Sequence, residues 1–547
     1  MSEAMAGKVI GARGAAEFTA AALAWGVLAL LFVGLRAGAA LGTPIGGAEL
    51  AGLSGAWQAH VGADDARFIP TFFQALTALS FEWTTSEMPA RVLALLATAS
   101  VPFAVYRLRS LLGEAGALVA MLLLTIDAPG VLLGATASVS GFDIALTLWL
   151  LVLLNEPRAP AWAWAPAGFL AATAGPVWLP LALASGAVRL FRQDYPPMPV
   201  LGYAGVGALL GVSAASLRFG MGWDGLRLPP FDAFAAGFDE PWSTESTLYL
   251  SVIYLAPLIA AGAAVAVYDV FRATLGEELD QSRVEVLAWP AVAFAWLLAS
   301  TGVHSPVPLV GLSIPLALLV GPALARLANA AWTADWTYAR YLVPGMLTAL
   351  LVAVAFLLEW ARDGRAGDAG EKVAVGGLVA VALGCVALLA SSRRTMAALA
   401  VPAAVIGLLP TISGLSGVAF SGPHEPMPSP VSPVQAREIR DIAIRAREEQ
   451  GGLIVVHPRF ELDLTWAFRD SGELVISSGP VPDASVIVWP ADGEAPEGYS
   501  ILDGDWTVLT ERRGPDADLL DYLRWLSNRN TLSVGRVPVI VYLKAGP

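Results

Sequence analysis

Long apolar blocks separated by short polar turns dominate this chain. About thirteen such blocks run from Phe18 to about Phe420, many reaching the ~20 residues a helix needs to cross a bilayer core. Backbone polar groups in lipid must be satisfied within the segment, so the blocks are predicted to be helices. Beyond residue 420 the pattern changes to a Pro/Ser-rich linker over 421–433 and a mixed stretch over 434–547. Ser432 as cap and Pro433 in the first turn predict a helix from about Val434 to Gln450. Strands are expected at Leu453–His457, Leu474–Ser477, Ser485–Trp489, Trp506–Leu509 and Val539–Tyr542, with a second helix over Ala517–Asn528. The fold class is therefore a polytopic α-helical membrane domain, residues 1–420, followed by a small α/β domain.

Arginines alternate between turns. Arg107 and Arg109, Arg189 and Arg192, Arg272 and Arg283, Arg326 and Arg340, and Arg393 and Arg394 fall in every second turn. Basic short loops stay in the cytoplasm, which gives a cytoplasmic N-terminus in a multi-pass inner membrane protein. The opposite turns hold Asp127, the Gly175-Pro176 corner and the acidic stretch Asp224–Glu245. An odd number of spans then places the C-terminal domain outside. The segments Trp162–Ala174 and Pro176–Leu190 are short, so either is open to being broken or re-entrant.

Two outer loops, 38–87 and 218–247, are long, aromatic and acidic. In the first, Glu49–His60 has helical spacing, with Leu50, Leu53 and Trp57 on one face and Glu49 near the start, where the helix dipole favours a carboxylate. Asp64 and Asp65 follow in a turn. Phe68–Trp83 reads as an interfacial helix with Pro70 in its first turn and Trp83 at headgroup depth.

Composition fits this picture: 56% hydrophobic, 14% charged and a mean hydropathy of +0.63. The net charge of −13, without a basic stripe, excludes a nucleic-acid partner. A single cysteine, Cys385, allows no internal disulfide and no Cys-based metal site. The four histidines follow no metal-ligand spacing. A transporter built from two matched halves with broken spans is not evident either.

The order of first span, carboxylate-bearing outer helix with Ala56-Trp57, second apolar helix, Arg91 opening the second span, and Tyr106-Arg107-Leu108-Arg109-Ser110-Leu111-Leu112-Gly113 at its cytoplasmic end resembles the GT-C superfamily of membrane glycosyltransferases. That superfamily includes the protein mannosyltransferases and the aminoarabinose transferases. The tail pieces Leu464–Asp470, Ala484–Trp489, Asp521–Trp525 and Val539–Lys544 are similar to the flippase-activity-associated group within it. The resemblance implies transfer of a sugar from a polyprenyl-phosphate donor to an acceptor at the outer membrane face. In the family's Asp-Glu position this chain has Ala48-Glu49. Phe68-Ile69-Pro70 stands where the family often has His-Gly-Pro, and Ser140–Asp143 keeps an acid without the neighbouring Arg. A catalytically inactive GT-C-like scaffold, or a partner subunit of a membrane complex, is the alternative.

Such a transfer needs a base for the acceptor hydroxyl and positive charge or a metal for the leaving phosphate. Glu49 is the first candidate base, with Asp64 or Asp65 as substitutes. Asp143 at the start of a span is a further candidate, because carboxylates at membrane depth usually face a cavity or a partner. For each the plainer role is a helix-end or turn charge. Arg67, Arg91, Arg218 and Arg227 are candidates for the donor phosphate, since the guanidinium fork donates two hydrogen bonds at once. Each is equally suited to snorkel from a span end. Trp57, Asp224 and Trp242 are candidates for the sugar or acceptor. A divalent metal ion is an option that these carboxylates alone do not define.

Overall fold

The apolar blocks are helical wherever the computed structural model describes them. It describes residues 2–42, 47–61, 72–156, 158–194, 196–218, 244–276, 279–300 and 307–332, together with the helix and strands named below, and their adjoining turns, between 433 and 544. Helix α1 (Ser2–Gly42) is continuous and runs through Gly42 rather than ending near Gly38. Its last residues are helix-forming, and Ala39 and Ala40 pack inward. The first long loop carries α2 (Gly47–Val61) and α3 (Phe72–Ser80). The expected helix over Phe68–Trp83 is thus shorter: the chain leaves it in turns after Ser80, and Trp83 is 77% exposed.

The body continues with α4 (Met88–Thr98), α5 (Val101–Arg107), α6 (Arg109–Leu112), α7 (Glu114–Thr125), α8 (Ala128–Ala135) and α9 (Ser140–Asn155). Next come α10 (Trp164–Thr173), α11 (Leu179–Arg192), α12 (Met198–Arg218), α13 (Thr244–Thr274), α14 (Gln281–Ala299) and α15 (Val307–Trp332). Among the described residues five helical segments are long and apolar enough to cross a bilayer, or six with the pair α7–α8, which bends by 67°. α9 and the first part of α12 are shorter apolar helices. Spans expected between 333 and 432 lie outside the described residues. The short segment around Trp162–Ala174 is a 3₁₀ turn leading into ten-residue α10, which packs tightly on α12. A Cβ added at Gly168 would sit 2.1 Å from the Ala204 carbonyl, and one at Gly207 1.9 Å from that of Ala165. Only glycine permits that approach.

The turn that holds Asp127 is the break between α7 and α8, and Asp127 is buried in it. Its carboxylate caps α8 by accepting from the Gly130 amide at 3.1 Å and takes the Ser313 hydroxyl of α15 at 2.8 Å. Arg36 of α1, also buried, donates to the Leu124 carbonyl at the end of α7 at 3.2 Å, and its guanidinium lies 3.4 Å from the centre of the Phe32 ring. Groups orphaned by a helix break are thus satisfied from α1, α8 and α15.

The two sides inferred from charge become two ends of the helical body. At one end Arg107 pairs with Glu156, Arg189 with Glu285, and Arg283 with Asp269. At the other lie α2, α3 and the loop 136–139.

The C-terminal domain follows the predicted order closely. Helix α16 (Pro433–Gln450) leads into β1 (Leu453–Val456), β2 (Leu474–Ile476), β3 (Ala484–Pro490), β4 (Tyr499–Ile501), β5 (Trp506–Leu509) and β6 (Arg536–Lys544). The six-stranded sheet runs β2-β1-β3-β6-β4, with β5 also on β6. β2, β1 and β3 are parallel and β6 is antiparallel to β3, with Val488 opposite Val541. β3 is buried along its whole length, as a central parallel strand should be. The expected helix over Ala517–Asn528 lies outside the described residues.

Ile454, Val456, Val486, Val488 and Val541 on one sheet face share a single apolar cluster with Ala436, Ile439 and Ala443 of α16. That cluster continues into Leu50, Leu53, Phe73 and Phe81 of the first outer loop. The tail is therefore seated on that loop. Phe81 meets Trp466 at a ring distance of 5.7 Å, and Arg469 donates to the Thr85 carbonyl at 3.0 Å.

Candidate functional site

Glu49 enters in the first turn of α2 and is 3% exposed. A carboxylate so placed must be compensated. Arg91 of α4, 5% exposed, reaches across the loop and donates Nε to Oε1 at 2.7 Å and Nη2 to Oε2 at 3.0 Å. Its Nη1 donates to the Ala40 carbonyl of α1 at 2.6 Å. Oε1 of Glu49 also accepts the Ala137 amide at 2.7 Å, from the loop between α8 and α9. One ion pair thus ties together α1, α2, α4 and the 136–139 loop. Both Glu49 oxygens and all three Arg91 nitrogens are engaged. Candidate base and candidate phosphate binder prove to be partners of each other.

Asp143 sits in the first turn of α9 and is fully buried. Its Oδ1 accepts the Gly175 amide at 2.6 Å, and the Val177 amide approaches the carboxylate without reaching hydrogen-bond geometry. Oδ2 accepts no hydrogen bond among the described residues. It lies against Gly175, where an added Cβ would fall 2.1 Å from it. The Gly175-Pro176 corner needs glycine because a carboxylate occupies the space of a side chain. No cation within ion-pairing distance faces Asp143 among the described residues. Beside it, Phe72, Phe73, Phe142 and Thr173 line a small apolar recess between α3, α9 and α10.

Trp57 turns its ring toward Phe81 at 5.4 Å and His60 at 5.4 Å, within the seat of the tail. Asp64, Asp65, Arg67, Asp224, Arg227 and Trp242 lie outside the described residues, and the side chain of Arg218 does too. Glu49, Arg91 and Asp143 therefore share the end of the body opposite the arginine ion pairs, held through the adjoining 136–139 loop. Among the described residues no three His, Cys, Asp or Glu side chains gather in one place. The buried trio Arg36, Asp127 and Ser313 is absent from the sequence-based candidates. A lone Arg within the first apolar block was its available signal.

No protein-family model matches this chain, and no curated protein matches it. Solved structures do. The crystal structure of ArnT from Cupriavidus metallidurans bound to undecaprenyl phosphate superposes with a TM-score of 0.55 at 15% identity, covering 96% of this chain and 99% of that one. The same protein in the apo state gives 0.51 at 14% identity, covering 96% and 98%. At such identity the likeness establishes the fold. This chain has a GT-C-like fold, over 96% of its length.

Proposed function

We propose that this chain is a GT-C-type membrane glycosyltransferase that moves a sugar from a polyprenyl-phosphate donor to an acceptor at the outer membrane face. One observation carries the reading: end-to-end likeness to ArnT, whose structure holds undecaprenyl phosphate. The site supports it on chemical grounds. An acceptor hydroxyl must lose a proton as it attacks the sugar carbon, and the polyprenyl phosphate leaves with the bonding pair. Both oxygens of Glu49 are already held, by Arg91 and by the Ala137 amide. Glu49 therefore frames the site, and Asp143, with an uncommitted oxygen, is the better base or orienting group. Phosphate neutralisation falls to Arg67, Arg218 and Arg227, and sugar contacts to Trp57, Asp224 and Trp242. The orientation with an outer C-terminal domain belongs to this reading.

The test is sugar transfer in membranes supplied with undecaprenyl-phosphate sugars. Asp143→Asn should abolish turnover while expression stays normal; undiminished turnover would remove Asp143 from the chemistry.

One observation favours a second reading. Ala48 stands in the family's Asp position, and the adjacent Glu49 is locked by Arg91. A non-catalytic subunit would keep this frame for lipid handling or partner docking. Wild-type protein inert with every donor, yet co-purifying with another membrane protein, would favour it.

A further inference from the structure

A second feature lies away from Glu49 and Asp143. α9, α10, α11 and α12 enclose a cavity of about 740 Å³, within the range of roughly 300–1,000 Å³ typical of ligand pockets. Its walls are apolar and built from small residues, including Ala171, Gly186, Gly205 and Ala208. It runs along the body from Ala172 and Trp178, near the Gly175 corner, to the arginine-rich end. α11 crosses from the Gly175 corner to Arg192, a rise of about 21 Å, and the cavity ends at Arg189 and Leu190. A void of this size left vacant forfeits packing on every wall, and apolar cavities do not hold water. Hydrocarbon is the filling a bilayer supplies.

Three polar features at the mouth narrow the ligand. Ser185, buried and lining the cavity, has a hydroxyl with no hydrogen-bond partner among the described residues. It stands one helical turn from Arg189 on the same face. Arg189 itself is engaged by Glu285 at 3.1 Å, by the Leu154 carbonyl at 3.1 Å and, more loosely, by Asp194 at 3.9 Å. Just beyond, Arg192 is exposed, donating to the Leu279 carbonyl at 2.9 Å, and Asp194 has a side chain 57% exposed, accepting from Gln281 at 2.9 Å. An accessible cation and an accessible carboxylate thus stand two residues apart in the chain, after a buried hydroxyl and an apolar slot.

We propose that this cavity holds an acyl chain of a diacyl phospholipid with a zwitterionic phosphoethanolamine headgroup. The Ser185 hydroxyl meets the ester carbonyl, Arg192 the phosphate and Asp194 the ammonium. An anionic lipid would meet an unmatched carboxylate at Asp194. Polyprenyl phosphate has neither ester nor amine for the Ser185 and Asp194 positions. This site is independent of the reading given for the outer end.

The experiment titrates phosphatidylethanolamine, phosphatidylglycerol and undecaprenyl phosphate into detergent-purified full chain and follows thermal unfolding. Phosphatidylethanolamine should bind at least about tenfold more tightly than the other two. A Cβ at Gly186 or Gly205 meets nothing within 4 Å, so Gly186→Leu and Gly205→Leu fill the cavity without a backbone clash. Each should weaken phosphatidylethanolamine binding about tenfold or more while keeping the lipid-free unfolding temperature; either alone suffices if its counterpart does not fold. Asp194→Asn should erase the preference over phosphatidylglycerol. Equal stabilisation by all three lipids, tighter binding of undecaprenyl phosphate, or unchanged phosphatidylethanolamine affinity in the filled variants would overturn the proposal.

Discussion

Two buried carboxylates at the α2–α3 end of the body have opposite surroundings. Glu49 is chelated by Arg91 and also holds the Ala137 amide, so both its oxygens are engaged. Asp143 holds the Gly175 amide through one oxygen, with the other unbonded among the described residues and no cation beside it. Burying a carboxyl group is costly in both cases, yet only the first meets a cation. A saturated carboxylate marks architecture. A half-saturated one marks a place where the fold carries a cost that stability alone does not explain.

The contrast can be broken by mutation. Arg91→Ala leaves Glu49 buried without its cation and should cost about 3–5 kcal/mol, read as a fall in unfolding temperature of purified protein. Asp143→Asn should behave oppositely: the amide oxygen can still accept from Gly175, so the unfolding temperature should hold or rise. Its turnover should drop about a hundredfold to ten-thousandfold if Asp143 handles the acceptor proton. An equal loss of stability in both variants would erase the distinction between the two acids.

Smaller effects sharpen it. The Phe81–Trp466 contact should show a coupling of about 0.5–1.5 kcal/mol in a double-mutant cycle. Trp466→Ala should raise hydrogen exchange in α2 and α3, since the tail is seated on that loop; unchanged exchange would mean the loop is stable unaided. Smallest of all, Arg107→Ala removes a partly exposed pair with Glu156 and should cost about 0–1 kcal/mol.

Sequence pattern carried the architecture further than the site. Leu453–Val456 and Trp506–Leu509 were readable because β-branched and apolar runs bounded by Gly and charge mark strands on their own. Tyr499–Ile501 was not, being three residues long with two of them exposed; its place comes only from pairing with β6. Glu49 was legible as a dipole-favoured charge at a helix start. Its pairing with Arg91, 42 positions away, was not, because periodicity speaks of one helix at a time. Asp143 announced itself as an acid in an apolar run, but its partner amide lies in a different turn, 32 positions on. Asp127 was legible as a turn residue, but its burial was not, for the same reason: the Ser313 hydroxyl that shelters it is 186 positions downstream.

That last distance bears on how the protein is made. α7 and α8 have twelve and eight residues, about 18 Å and 12 Å long, so neither half alone crosses a hydrocarbon core of about 30 Å. When they leave the ribosome, Arg36 is already at hand to hold the end of α7, but the hydroxyl that completes the Asp127 cap has not yet been synthesised. α15 is thus a keystone laid late in biogenesis, and a nascent chain halted before Ser313 carries an unfinished polar joint into the membrane.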